Sequence, residues 1–478
     1  MNLKLRFSQF LLPVLLCFWV ASFFGYLGWK PGFAYNAQRY FEIFLLGCLF
    51  CVGVSLPVRF HWRQLWAGLS FVLLLAMVLV IFQADIHWLA VREGLQFSAL
   101  FAAIFVVAKA RQHAGAESFD RAAYIGLVIF CFGCSLIVLE GLLLSISINM
   151  LDHRLVFGAF VNIRVFSELQ FLTLLILPAA WLHINSCGWR RFIGLTAMLW
   201  WGLLFLTGTR SALVVLPFAL LLLGLAGGRN TLGWFKVLCV QFVGGMLVFF
   251  LLRGSVAWYL NTPFWGEGSM SFARASSSGR LALWADAWRH FLQHPWFGSG
   301  PGTFACFTNE LVATPHNLFF QLISEWGVFM TMLSLALALL LFISLLQQLR
   351  SARYEDPLKF SLFVTLVTTV AASMMQGMII APLQQMLIVL VFGWALHVFA
   401  HEKFSLLAGP ALSRYQGIYV IVLAGFLAIT LWGVKADLAL QQKLLVSPEG
   451  VVNLSYGPRF WADGHDHCPE WHERYQNR

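Results

Sequence analysis

The sequence predicts an all-α, polytopic integral membrane protein with about 12–13 transmembrane helices and one large loop on the outer face. Three observations carry that prediction. The chain has 478 residues, of which 60% are hydrophobic and only 11% charged, where a soluble chain carries roughly 25% charged residues. Its apolar residues fall in runs of about 17–25, the length that crosses the hydrocarbon core of a bilayer. It holds 46 Phe and 20 Trp, which suit membrane interiors and interfacial belts. This composition excludes a string of soluble domains, a disordered chain and a disulfide scaffold. The net charge of +10 fits a positive-inside bias and contact with anionic membrane lipids, and no nucleic-acid partner is expected.

Thirteen stretches qualify as spans, near 9–28, 41–57, 65–82, 94–109, 122–146, 167–184, 191–207, 211–227, 236–252, 317–343, 360–379, 382–400 and 417–434. The first is read as a span and not a cleaved leader, because it ends in Phe23-Phe24-Gly25-Tyr26 with no small-residue cleavage site behind it. The organisation is therefore nine spans over 1–252, a large loop over 253–316, four spans over 317–434 and a tail over 435–478. With Lys4 and Arg6 inside, sixteen of the 31 basic residues fall on the inner side. The short outer loops hold Lys30, Arg39, Arg92, Arg154, Arg164 and Arg210. The large loop and the tail then face outward. Miscounting 360–400 by one span would flip the tail and leave the loop where it is. Within the loop, Leu281, Trp284, Trp288 and Leu292 recur at helical spacing over 280–293, and Pro295-Trp296-Phe297-Gly298-Ser299-Gly300-Pro301-Gly302 ends that helix.

Cysteines inside the spans, Cys48 and Cys51, Cys131 and Cys134, read as packing. Cys306 and Cys468 both fall on the outer side, where an oxidising compartment permits a disulfide. The tail segment Asp463-Gly464-His465-Asp466-His467-Cys468-Pro469-Glu470-Trp471-His472 is rich in metal-ligand side chains. Its spacing matches no zinc site, so it reads as solvated. No Asp-x-Asp lies outside the membrane, and there is no phosphate-binding loop or dinucleotide fingerprint. No cofactor and no metal are expected.

The scarce charge on the outer face is where chemistry is expected. Arg164 sits at the mouth of the sixth span and Arg210 in the turn Thr207-Gly208-Thr209-Arg210-Ser211. Arg280 and Arg289 frame the loop helix, His316 lies where the loop re-enters the membrane, and Glu325 follows within the tenth span. Arginine offers a planar, permanently charged fork suited to diphosphate. An imidazole can take a proton from a hydroxyl near neutral pH. Each residue also has an ordinary reading: a loop charge, a solvated helix face, a helix-start residue or, for Glu325, a structural hydrogen-bond partner. Glu42 and Glu140 are read as structural.

The segments Gly279-Arg280-Leu281-Ala282-Leu283-Trp284, Pro295 to Gly300, Pro315-His316-Asn317-Leu318-Phe319-Phe320-Gln321 and Glu325-Trp326-Gly327 together resemble the O-antigen ligase family, which includes bacterial protein O-oligosaccharyltransferases. The Thr-Gly-Thr-Arg-Ser turn is similar to a Thr-x-Ser-Arg element of that family, with Thr209 replacing Ser. The resemblance implies a GT-C-like membrane glycosyltransferase of the bacterial inner membrane that is inverting and metal-independent. It implies a donor glycan on undecaprenyl diphosphate and an active site open to the periplasm. Matched by motif, His316, Arg280 and Arg210 take the catalytic positions, with Arg289, Arg164 and Glu325 as substrate-binding extensions. The acceptor is a Ser or Thr of a pilin-like protein, slightly preferred, or a sugar of lipid A-core. O-antigen polymerase is the alternative. A lipid-linked glycan transporter is the alternative of another class, and it would predict charge at the bilayer midplane and symmetry between halves.

Overall fold

A computed structural model describes residues 34–55, 78–160, 162–264, 279–308, 312–351 and 356–405, with 424, 425, 428, 459, 460 and 468. The spans expected near 9–28 and 417–434, most of that near 65–82, the loop stretch 265–278 and most of the tail lie outside the described residues.

The chain is a multi-pass helical membrane protein. In order, the helices are α1 (Ala34–Ser55), α2 (His87–Ala114), α3 (Ala116–Ser147), α4 (Ile163–Thr173), α5 (Leu177–His183), α6 (Cys187–Thr207), α7 (Ala212–Gly227), α8 (Leu232–Leu260), α9 (Arg280–Gln293), α10 (Leu318–Ser351), α11 (Pro357–Ser373) and α12 (Pro382–Ser405). Among the described residues, six helical stretches are long and apolar enough to cross a membrane: His87–Ala114, Ala116–Ser147, Ile163–His183, Ala212–Leu260, Leu318–Arg350 and Pro382–Phe399. The fourth joins α7 and α8 through a 3₁₀ turn at Gly228–Thr231.

Local chemistry sets the helix ends. Asn162 caps α4, its side-chain oxygen accepting from the amides of Arg164 and Val165 at 2.9 and 3.0 Å. Asp356 caps α11 ahead of Pro357. α6 stops at Gly208, which adopts φ 60°. α8 runs on to Leu260, seven residues past the sequence-expected start of the loop at 253.

Burial sorts the helices into a centre and a rim. α4 and the first turn of α5 are almost wholly buried, and Gln170 and Thr173 find partners there: Gln170 donates to the Trp200 carbonyl, and Trp200 Nε1 donates to Thr173 Oγ1 at 2.9 Å. That satisfies polar groups which lipid could not. α8 and α10 form the rim. They expose apolar side chains, among them Val243, Leu247 and Leu251 on α8 and Met332, Leu339 and Leu340 on α10, the composition of a lipid-facing surface. α6 and α8 approach closely because Gly245 lies against Trp201 and Gly202, where an added Cβ would overlap the Trp201 Cβ and crowd the Gly202 amide.

The two ends of the bundle carry different polar networks. At one end, Arg111 pairs with Asp120 at 2.7 and 2.8 Å, and Trp394 Nε1 donates to the same carboxylate at 2.7 Å. At the other end lie the starts of α1, α2, α4, α9 and α10, and with them Arg39, Arg92, Arg164, Arg280 and His316. Tail residues Arg459 and Phe460 are buried at this end too, each 1% exposed. Sequence reasoning places Arg39 and Arg92 in short outer loops, and of the tail it reads only the segment 463–472 as solvated, where Cys468 is in fact buried. The structure sets both arginines in helices and stacks them on the Phe460 ring at 4.8 and 4.5 Å. Cys306 and Cys468 form a disulfide, with Cα atoms 5.2 Å apart.

Candidate active site

Arg164, Arg210, Arg280 and His316 converge at the loop end of the bundle from four separate elements. Each is partly exposed, while Thr207, Thr209, Ser211, Glu168 and Thr314 around them are buried. The surroundings make the electrostatics unusual. Burial and then the positive charges of Arg164 and Arg280 push the His316 imidazole down to about 4. Burial, then Arg164 and Arg210, hold the Arg280 guanidinium below its ordinary range. Nε of Arg280 is buried with no hydrogen-bond partner among the described residues, a donor that an incoming acceptor oxygen would satisfy. Beneath this cluster, Glu168 provides a counter-charge to Arg164 and is held by Gln384 at 3.2 Å.

His316 is fixed by its backbone and its neighbours. Its φ of 50° lies in the left-handed region, which turns the loop sharply into α10. The next residue, Asn317, caps that helix by accepting from the Phe320 amide at 3.1 Å, and it donates to the Met374 carbonyl at 2.7 Å. His316 Nδ1 faces the Thr314 hydroxyl at 3.5 Å. It also sits against Gly377, where a Cβ would approach Nδ1 to 3.4 Å. The Gln376 amide donates to Ser211 Oγ at 2.5 Å, so the α11–α12 connection floors both the Arg210 turn and the histidine.

The helix α9 is anchored from below by Leu283 and Ala287, which pack with Phe304. Trp284 stacks on Phe320 with ring centroids 5.3 Å apart, and its indole donates to the Pro315 carbonyl at 3.1 Å. One helical turn earlier stands Arg280.

The turn at Pro295–Gly302 and the Glu325-Trp326-Gly327 segment meet directly. Gly327 breaks α10 at φ 72°, ψ 180°. The carbonyls of Ser324 and Glu325 then accept from the amides of Ser299 at 3.1 Å and Gly300 at 3.0 Å. Two motifs about thirty residues apart in sequence are thus one broken-helix junction.

The other two sequence-selected residues lie apart from this cluster. Arg289 has a side chain 66% exposed and pairs with Asp286. Glu325 is wholly buried. It accepts from Arg459 at 2.6 Å and from the Phe304 amide at 3.2 Å. Sequence reasoning gives no site role to Glu168, Trp284, Gln376, Gly377 or Gln384, although Trp284 lies in the motif of the loop helix. The signal for three of them was present, since Glu168, Gln376 and Gln384 are polar residues within or beside apolar runs.

Residues 195–335 match the family model described as O-antigen ligase. This segment belongs to the O-antigen ligase family. It encloses Arg210, Arg280, Arg289, His316 and Glu325, and it leaves Arg164 outside. The chain is also similar to an O-antigen ligase of Pseudomonas aeruginosa, 31% identical over 144 residues, or 30% of this chain and 31% of the relative. The chain thus matches about a third of the length of that curated relative.

Proposed function

We propose that the protein is an inverting, metal-independent glycosyltransferase of the bacterial inner membrane. It moves a preassembled glycan from undecaprenyl diphosphate to an acceptor hydroxyl on the periplasmic face. The observation that carries this reading is the histidine set among Arg164, Arg210 and Arg280. Such a group suits a dianionic diphosphate donor, which gains a further negative charge as it leaves, beside a hydroxyl to be deprotonated. With Nδ1 turned to Thr314, Nε2 takes the acceptor proton. The acceptor oxygen attacks the anomeric carbon from the face opposite the diphosphate, and the bond from that carbon to the phosphate oxygen breaks. Undecaprenyl diphosphate leaves with the electron pair, and the arginines stabilise the added charge. The depressed basicity of His316 belongs to the unliganded site. A bound diphosphate offsets the arginine charges and restores basicity when the base is needed. The Cys306–Cys468 disulfide supports an oxidising compartment at this end.

Two acceptors follow from this chemistry. The family description and the Pseudomonas aeruginosa relative both carry the name O-antigen ligase, which favours a sugar of lipid A-core. The segment from His316 to Gly327 favours a protein Ser or Thr, such as one on a pilin-like acceptor, by its likeness to the protein transferases. Mass spectrometry of lipopolysaccharide and pilin, with and without the gene, separates them. Bare core with accumulated lipid-linked glycan indicates ligation, and unmodified pilin with normal lipopolysaccharide indicates protein transfer. Shortened polymer would indicate a polymerase instead. His316→Ala should reproduce the deletion, and full transfer by that variant would refute the mechanism.

A further inference from the structure

The described residues of the C-terminal tail reach into the loop end of the bundle and grip the segment that carries His316. Arg459 is 1% exposed and makes contacts in three directions. Its guanidinium donates to Glu93 of α2 at 2.9 Å and to Glu325 of α10 at 2.6 Å. It also donates to the backbone carbonyl of Ala313 at 3.4 Å. The Gln321 side-chain oxygen, in the amide orientation that satisfies both its ends, accepts from the same group at 3.1 and 3.3 Å. The tail backbone is held in turn: Tyr35 donates to the Arg459 carbonyl at 2.5 Å, and Arg39 Nε to the Phe460 carbonyl at 2.7 Å. Cys468, bonded to Cys306, packs against Ala305 and Ala313. Ala313 lies three residues before His316, so the tail holds the approach to the histidine twice, by an arginine and by a disulfide-linked cysteine.

We infer that Arg459 is a positioning residue for His316, and that with the Cys306–Cys468 disulfide it forms a clasp fixing the histidine loop against α2 and α10. The inference rests on the transferase reading given above. A buried arginine between two carboxylates is a costly device whose net stabilisation is small. Its specific consequence is geometric, because one planar fork ties two helices and one loop carbonyl into a single register. The loop between Ala313 and Leu318 is short and has no regular structure of its own. Its course is set by the Trp284 and Asn317 hydrogen bonds on one side and by the tail on the other. Proton transfer requires the imidazole within hydrogen-bond reach of the acceptor, and a displacement of about 1 Å in such a group costs up to 10²-fold in rate.

The test uses the full-length protein in lipid nanodiscs. The donor is undecaprenyl-diphosphate-linked glycan extracted from a strain deleted for the gene. Arg459→Lys keeps a buried charge and loses the fork. Per folded molecule, its kcat should fall about tenfold or more, with KM for the donor unchanged. The acid limb of kcat/KM should also move up, as water reaches His316 and relieves the effects of burial and of Arg164 and Arg280. A merely structural arginine would reduce the amount of folded protein and leave these quantities as in the wild type; that result overturns the inference. Where the lysine variant does not accumulate, the Cys306→Ser, Cys468→Ser double variant releases the other tether with the ion pairs intact. The same two readouts then decide in the same way. His316→Ala runs beside them. If it is inactive while the clasp variants behave as wild type, only the clasp falls. If it is active, the transferase reading falls and the positioning role with it.

Discussion

The indole of Trp284 donates a hydrogen bond to the carbonyl of Pro315, the residue immediately before His316, at 3.1 Å. This contact ties the helix that carries Arg280 to the loop that carries the histidine. The two groups that the proposed mechanism sets on one substrate are therefore spaced by a side chain four residues after Arg280, bonded to the residue just before His316. The same ring stacks on Phe320, and each half of the side chain has its own effect. Trp284→Phe keeps an aromatic face on Phe320 and loses the hydrogen bond, a loss of about 1 kcal/mol. It should lower kcat several-fold with little change in thermal stability. Trp284→Ala also removes the stacking and should lower both. Equal, wild-type kcat values in the two variants would show that α9 and the histidine loop are not mechanically linked.

The electrostatics of His316 give a pH profile with a definite sign. A general base must be neutral, and burial together with Arg164 and Arg280 pushes this imidazole down to about 4. In the free protein it therefore stays neutral well below the ordinary histidine value of roughly 6.5. The acid limb of kcat/KM, which reports the free enzyme, should lie clearly below pH 6.5. The limb of kcat, which reports the donor complex, should lie higher, because the diphosphate offsets the two guanidinium charges. Rate measurements across pH 4–8 in donor-saturated and donor-limited regimes read both limbs. A kcat limb at or below the kcat/KM limb would contradict the idea that the donor restores the basicity of the histidine.

Much of this site can be read in the sequence, and the rest is hidden for physical reasons. Arg210, Arg280 and His316 stand out because charge beside an apolar run needs a cause, and the structure brings them together with Arg164. Arg289 and Glu325 carry the same local signal and diverge in space, one toward solvent and the other into an ion pair with Arg459. Nothing local in the sequence distinguishes a glutamate that faces substrate from one that faces a partner 134 residues away. Gln376 and Gly377 are hidden for a similar reason, since their contacts with Ser211 and His316 exist only after α11 and α12 pack. The helices themselves were legible, because hydrocarbon imposes length and composition on every span.

The arginines, and not a metal, are expected to carry the leaving-group charge. Removing one charge-stabilising donor from a site of this kind costs about 10²–10³ in rate. Arg280→Ala and Arg210→Ala should each lose activity on that scale while inserting normally. Arg289→Ala should lose far less, because that side chain is 66% exposed and paired with Asp286. Transfer should survive EDTA. Strict dependence on added Mg²⁺ or Mn²⁺, assayed after chelation, would sink the arginine account.

The broken-helix junction predicts a substitution that acts on stability through backbone geometry. Gly327 holds φ 72°, ψ 180° inside α10, a combination open in practice only to glycine. A Cβ there would approach the amide nitrogens of Phe297 and Gly298 to 2.5 Å and overlap the Trp296 carbonyl. None of these is the end of a flexible side chain, so nothing can move aside cheaply. Gly327→Ala must therefore either strain the residue, at about 1–3 kcal/mol, or push the Pro295–Gly302 turn away. The second route breaks the hydrogen bonds from Ser299 and Gly300 to the Ser324 and Glu325 carbonyls, and it loosens the start of α10 where Glu325 meets Arg459. Either route lowers the unfolding temperature in detergent. Gly194→Ala in α6 is the control. Its added methyl has nothing within 4 Å, and alanine is the better helix former by roughly 1 kcal/mol, so this variant should be neutral or slightly stabilised. If both variants melt together with the wild type, the break at Gly327 is not held by the contacts described.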